Sequence, residues 1–239
     1  MKINVYSAYS HISEKDLRGK VVVIVDTLRA ASTIATALSN GCEQIFPVVD
    51  IEQAMELKDS MKEFGPLLGG ERDGVKIPGF DLGNSPFEYT IERMHGKTLI
   101  LTTSNGTMAI DAAKSASKVY IGSMINSAAV ARAICKTTKE IVILCAGTNS
   151  KFSLDDILTA GYIIKYVSEE MLKSVDLDDL GRICVSLYNS NATDLIGAVR
   201  NASHAVVLNK LGCEKDIVYC LNKDIVKILP VFKDGRITV

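Results

Sequence analysis

Short runs of Val and Ile recur along the chain, each followed by a segment with helical spacing, and this alternation restricts the fold more than any other feature. VVVIV at 21–25, TLILT at 98–102 and IVILC at 141–145 each carry at least three consecutive apolar residues. A strand with one wet face would alternate apolar and polar residues, so these runs belong to a sheet covered on both faces, as largely parallel sheets are. The pattern predicts strands near 2–6, 20–25, 44–49, 66–69, 97–102, 118–121 and 140–145. Helices are expected over 30–40, 51–63, 85–95, 105–116 and 126–136, the last opened by Asn126 or Ser127 as a cap.

Beyond residue 150 the texture changes. FSLDDILTAGYIIKYVSEEM, LDDLGRICVSLYNSN and ATDLIGAVRNASHAVVLNKLG read as successive helices, ahead of two strands near 226–231 and 235–239. The expected fold is a three-layer α/β/α arrangement with a largely parallel or mixed central sheet and a helix-rich C-terminal part. Residues 1–239 are read as a single domain, because the sheet would lack part of one helical layer without its tail.

Charge narrows the partners. Lys and Arg total 27 against 28 Asp and Glu, so no global field attracts nucleic acid or an anionic membrane. No apolar run reaches the length of a membrane span, and the amino terminus lacks the apolar stretch of a signal peptide. Cysteines 42, 135, 145, 184, 213 and 220 form no C-x-x-C pair. Mostly buried, reduced thiols and a cytoplasmic address are expected.

In an open α/β sheet, ligands gather beyond the carboxyl ends of the strands. The residues in those places are polar and glycine-rich: Asp26-Thr27-Leu28-Arg29, Gly70-Glu71-Arg72-Asp73-Gly74, Thr103-Ser104-Asn105-Gly106-Thr107, Gly122-Ser123 and Ala146-Gly147-Thr148-Asn149. Carboxylates offer hard oxygen atoms suited to Mg²⁺, whereas arginines and backbone N–H groups at helix starts suit phosphate. Asp26, Glu71, Asp155 and Asp156 are therefore metal-ligand candidates, and Arg29 and Arg72 are anion-clamp candidates. A surface ion pair or helix cap is the plain alternative for any one of them. The run at 102–107 could cradle an oxyanion with its amides or could simply start a helix. Residues 69–86 hold five glycines and two prolines, more punctuation than a plain connection needs, and read as a binding loop.

Five segments carry a resemblance: VDTLRAAST at 25–33, GGERDGVKIPGFDLGNSP at 69–86, TTSNGT at 102–107, GSMINSAAVA at 122–131 and CAGTNSKFSLDD at 145–156. In this order, and over nearly the whole chain, the sequence resembles the 2-phosphosulfolactate phosphatase family. The resemblance implies Mg²⁺-dependent hydrolysis of 2-phospho-3-sulfolactate to 3-sulfolactate and phosphate, a step towards coenzyme M, with other 2-hydroxy acid phosphates as further substrates. On that substrate Asp26, Arg29 and Glu71 are the expected catalytic residues. Arg72, Lys76, Asn84, Ser85, Thr103, Ser104, Asn105, Gly106 and Thr107 are the expected substrate contacts, and Asp26, Glu71, Asp155 and Asp156 the expected metal ligands. The implied partner is a small anionic phosphate ester, and a homo-oligomer is compatible with the sequence.

Other phosphatase signatures are missing. Leu28 stands where a haloacid dehalogenase-type motif places its second acid, and Lys151 stands where a cysteine phosphatase loop places arginine. His11, His95 and His204 are scattered along the chain. The rival readings are a phosphatase for another small ester and a non-catalytic binder of phosphorylated acids. Phosphate release separates them.

Overall fold

A computed structural model of the chain describes residues 1–171 and 175–239. Its strands are β1 (Lys2–Tyr6), β2 (Val21–Val25), β3 (Gln44–Pro47), β4 (Leu67–Arg72), β5 (Val75–Lys76), β6 (Thr98–Thr102), β7 (Lys118–Gly122), β8 (Ile141–Cys145), β9 (Asp176–Leu177), β10 (Val231–Lys233) and β11 (Arg236–Thr238). They form one mixed sheet in the order β5-β4-β6-β3-β11-β10-β7-β2-β8-β1-β9. The principal helices are α1 (Ala30–Ser39), α2 (Ile51–Ser60), α3 (Gly106–Ala112), α4 (Ser127–Ile134), α5 (Leu154–Met171), α6 (Asp179–Asn191), α7 (Leu195–Val199), α8 (Ser203–Lys210) and α9 (Glu214–Cys220).

The sheet consists of two parallel blocks joined by a hairpin. β7, β2, β8 and β1 make one block, and β3, β6 and β4 the other. Between them the antiparallel β10–β11 pair hydrogen-bonds to both. It meets β7 at Val119 and Tyr120 and β3 at Ile45, towards the amino ends of those strands.

Side-chain alternation sorts the apolar runs onto two faces. Val22, Ile24, Val142 and Leu144 join a core with Ile34 of α1, Ala109 of α3 and Leu99 and Leu101 of β6, so this core lies between the two blocks. Val21, Val23, Val25, Ile141 and Ile143 face the opposite way and pack on Val130 of α4 and Ile157, Ile163 and Val167 of α5. The α/β/α layering follows from strands that are apolar on both sides. Leu28 and Met124 pack with Leu195, Val199, Leu208 and Ile217 of the C-terminal helices, which seats those helices beside the end of β2.

Several element boundaries differ from the sequence reading. The expected helix at 85–95 is a 3₁₀ turn, Pro86–Glu88, followed by a four-residue helix, Ile91–Met94. Pro86 can open such a turn, but the carbonyl of Glu88 is followed by Tyr89 in a non-helical conformation. The strand expected at 226–231 begins only at Val231, next to Pro230, whose missing N–H suits the start of a strand. β5 and β9, each two residues long, carry no periodic signal of their own.

α5 and α6 cross so closely that a Cβ on Gly161 would stand 2.1 Å from the carbonyl oxygen of Cys184 and 2.8 Å from Cβ of Tyr188. We expect Gly161→Ala to force the helices apart at a cost of about 1–3 kcal/mol, the usual range for overpacking. Urea denaturation would measure it. Unchanged stability would show that the crossing yields freely.

Candidate active site

The carboxyl ends of β2, β4, β6 and β8 surround a cavity of about 180 Å³. Asp26, Leu28 and Arg29 enter it after β2, Glu71 and Asp73 from the end of β4, Ser104 and Asn105 after β6, and Thr148 and Asn149 after β8. Gly74, Asn84, Thr103, His204 and Val207 complete the wall. The blocks are in close contact here. A Cβ on Gly106 would lie 2.5 Å from Oδ2 of Asp26 and 2.6 Å from Cβ of Ala30, so the contact between the β2 and β6 ends needs glycine.

The turn between β2 and α1 is held by carboxylates. Oδ1 of Asp26 accepts the N–H of Ala30 at 3.1 Å, Oδ2 of Asp155 accepts that of Leu28 at 3.1 Å, and Oδ1 of Asp156 accepts that of Thr27 at 2.9 Å. The other oxygen of Asp156 accepts the Gly147 N–H at 3.0 Å, and the other oxygen of Asp155 accepts the Ser153 hydroxyl at 2.6 Å. All three acids are buried. Burial, then the Asp155 charge and the Glu71 charge, push the Asp26 carboxyl up to about 7, while the Ala30 N–H and Arg29 act in the opposite direction. Asp156 is raised well above the usual carboxylate range, first by burial and then by Asp155 and Asp26.

Arg29 is the buried cation of the cleft. Its Nη1 donates to Asp216 of α9 at 2.6 Å and its Nη2 to the Gly74 carbonyl at 3.0 Å. Asp216 also accepts the Ser85 hydroxyl at 2.7 Å, so one carboxylate from the C-terminal helices fixes the guanidinium and the 69–86 loop together. A buried pair of this kind restricts geometry more surely than it adds stability.

The remaining expected site residues divide by location. Glu71 lines the cleft and accepts the N–H of Ser104 at 2.8 Å, the Ser104 hydroxyl at 3.1 Å and the N–H of Gly74 at 2.7 Å. Thr103 and Thr107 bond to each other through their hydroxyls and amides. The expected amide cradle is thus reduced, because the Ser104 amide is spent on Glu71. The N–H groups of Asn105 and Gly106 are left without a partner among the described residues. Asn84 is buried, and its Oδ1 is unpaired among the described residues.

Arg72 stands apart from the cleft lining: it donates to the Glu71 carbonyl at 2.8 Å and the Thr102 hydroxyl at 2.9 Å, bracing β4 against β6. Lys76 is exposed beside a second cavity of about 270 Å³ that shares Arg29, Gly74 and Asn84 with the first. Asp155 and Asp156 sit behind the cleft, their oxygens turned onto the amides of the turn. Gly122-Ser123, the fifth strand end, is taken up by a capping box with Asn126. Asp216 was outside the sequence reading, and His204 entered it only as one of three scattered histidines. Asp216 lies 187 positions from the arginine it holds, and no local pattern could reveal that pairing.

A family model described as 2-phosphosulpholactate phosphatase matches residues 6–235. Three relatives carry the name probable 2-phosphosulfolactate phosphatase. That of Caldanaerobacter subterraneus is 44% identical over 235 residues, covering 98% of this chain and 97% of the relative. That of Clostridium acetobutylicum is 43% identical over 239 residues, covering 99% and 100%. That of Clostridium beijerinckii is 41% identical over 238 residues, covering 100% and 99%.

The raised Asp26 carboxyl has a consequence for stability. Between its ordinary value and about 7 the native state holds a proton that the unfolded chain releases, so this group lowers stability as pH rises through that window. In chelator, Asp26→Asn should raise the melting temperature by a few degrees at pH 8 and leave it nearly unchanged at pH 4. Thermal unfolding at the two pH values checks this, and equal shifts at both would remove Asp26 ionisation as the cause.

Proposed function

The chain belongs to the 2-phosphosulfolactate phosphatase family, and from that premise we propose that it is a phosphoric monoester hydrolase acting on 2-phospho-3-sulfolactate. The products are 3-sulfolactate and phosphate, and phosphate esters of other 2-hydroxy acids are further substrates. The observation that carries this reading is the charge imbalance at the strand ends. Three carboxylates, Asp26, Glu71 and Asp73, face the cleft with one guanidinium, and that guanidinium is committed to Asp216.

A polyanionic ester would be repelled from such a cleft unless a cation enters with it, which supports Mg²⁺ as the cofactor. The donors suit the ion, since Asp26 and Glu71 offer only oxygen. Mg²⁺ commonly takes one or two carboxylates and leaves its other positions to water and phosphate oxygens. A preformed shell of three or more His, Cys, Asp or Glu side chains, which does not occur among the described residues, is therefore not required. When bound, the ion would supply positive charge to the phosphoryl oxygens and to the charge that develops on them. Of the four expected ligands, Asp26 and Glu71 are kept as ligands in this reading, whereas Asp155 and Asp156 support the turn.

The chain's own groups divide the remaining work. Arg29, held in place by Asp216 and Gly74, directs its free N–H bonds at a phosphoryl oxygen. The amides of Asn105 and Gly106 donate to another. Water is the nucleophile: Asp26 already has one oxygen turned onto Ala30 and the other pressed against Gly106, a poor posture for in-line attack. As the water oxygen bonds to phosphorus the bond from phosphorus to the ester oxygen breaks, and the proton that the attacking water gives up is balanced by the one the departing oxygen takes up to become the alcohol. A cytoplasmic address fits six free cysteines, of which four are buried.

Phosphate release from a panel of esters, with Mg²⁺ and with EDTA, tests the reading. We expect release from 2-hydroxy acid phosphates that chelation abolishes. Asp26→Asn should lower turnover by about 100-fold or more in a folded protein, the scale of one preorganised electrostatic group. Arg29→Lys keeps the charge but loses the planar fork, and its activity should fall as well. Full activity in EDTA would remove the metal, and no release from any ester would favour a binding protein.

A further inference from the structure

Beyond the β8 end the cleft opens into a groove of about 740 Å³, which shares Thr148, Asn149 and His204 with it. The two spaces differ in charge. The cleft is lined by Asp26, Glu71 and Asp73, whereas the titratable groups of the groove are His11, Lys151 and His204, and no carboxylate lines it among the described residues.

The wall between them is built by local geometry. Asn149 and Ser150 both take the left-handed conformation, with φ of 51° and 60°. This reverses the chain within a tight turn closed by Thr148 N–H to the Lys151 carbonyl at 2.9 Å and Lys151 N–H to the Thr148 carbonyl at 3.0 Å. The turn is docked on the β6 side, where the Asn149 N–H donates to Oδ1 of Asn105 at 3.2 Å. Lys151 is thereby carried past the cleft to the groove side. On the opposite wall, α8 starts after Ala202, which has no side chain to cap it. Val206 is the first residue of that turn to find an intrahelical acceptor, the Ala202 carbonyl at 2.9 Å, so the N–H groups of Ser203, His204 and Ala205 remain open among the described residues. Nδ1 of His204 lies 3.4 Å from the Thr148 hydroxyl, which joins the two walls at the mouth.

We propose that this groove is the specificity site for the alcohol part of the substrate, with Lys151 and His204 binding a second anionic group, a sulfonate or carboxylate, carried by that alcohol. The inference rests on the phosphatase reading, which places the phosphoryl group at the Asp26 end. With phosphate held there, the rest of the ester can extend past Gly74 and Asn84 into the smaller cavity beside Lys76, where Glu88 also lines the wall, or past Thr148 and His204 into the groove, which is larger and carries no carboxylate among the described residues. The field along that path changes from carboxylate-rich to basic, so it orients an ester with two anionic ends: the end that brings a cation goes to the carboxylates and the bare anion goes to the lysine, the imidazole and the open amides of α8. A neutral alcohol gains nothing from the groove.

The test is a selectivity ratio, kcat/KM for 2-phosphosulfolactate over kcat/KM for glycerol 2-phosphate, in the wild type and in Lys151→Ala, His204→Gln and the double variant. The wild type should prefer the anionic ester by at least tenfold, and the double variant should lose at least tenfold of that ratio, mostly through KM. Lys151 is exposed and His204 only half-buried, so the variants should fold. An unchanged ratio, or equal losses on both esters, would overturn the assignment. Calorimetric binding of 3-sulfolactate to the same proteins reads the groove without turnover. A fivefold or greater weakening in Lys151→Ala supports the site even if the phosphatase reading fails, and equal affinities refute it.

Discussion

The turn that follows β2 is the constraint on which the site depends. Its amides at Thr27, Leu28 and Ala30 face the interior, where no strand runs to accept them, and an unpaired buried N–H costs about 1–3 kcal/mol. Asp156, Asp155 and Asp26 accept them in turn. Three carboxyl groups are thereby packed behind and beside one cleft, and burial beside one another raises Asp26 and Asp156 above the usual carboxylate range. The first turn of α5, which supplies Asp155 and Asp156, is consequently tied to β2 and, through Gly147, to β8.

The same arrangement explains why the two blocks of the sheet converge where they do. The β10–β11 hairpin holds them near their amino ends, and the core shared by α1, α3, β2 and β6 fills the space between. At the carboxyl ends Gly106 brings the β6 turn against Asp26 with no room for a side chain. Glu71 gathers the Ser104 and Gly74 donors on the far side. Glu71 thus ties the β4 end to the turn after β6, Asp156 from α5 ties the β2 end to the β8 end, and the cleft is the space those contacts leave.

What the sequence revealed follows from how local each signal is. VVVIV and IVILC announced buried parallel strands because burial on both faces leaves a continuous apolar run; Asp26 was visible because it directly follows such a run, and Glu71 because it stands two residues past the strand expected at 66–69. The insertion of the terminal hairpin between two parallel blocks was not visible, since strand order depends on pairings between segments distant in sequence. The same limit hid the roles of Asp216 and His204: both sit on short C-terminal helices whose docking is set by Leu28, Met124 and their neighbours. Residue type alone leaves the roles of Arg72 and Ser104 open. An arginine and a hydroxyl after a strand look like anion ligands, yet their donors are taken by Thr102 and the Glu71 carbonyl in one case and by the Glu71 carboxylate in the other.

The Arg29–Asp216 pair shows what the C-terminal helices add. A lone arginine at this rim would be free to collapse onto Asp26 or Glu71, neutralising the carboxylates that give the cleft its charge. Asp216 takes that role instead, at 2.6 Å, and the Gly74 carbonyl takes a second donor. The guanidinium is fixed and its charge is matched outside the cleft, so it does not pair with Asp26 or Glu71. An acid from the far end of the chain therefore preserves the imbalance that a phosphate-bearing ligand and its cation would together resolve, and the C-terminal helices act as part of the site's electrostatics as well as its wall.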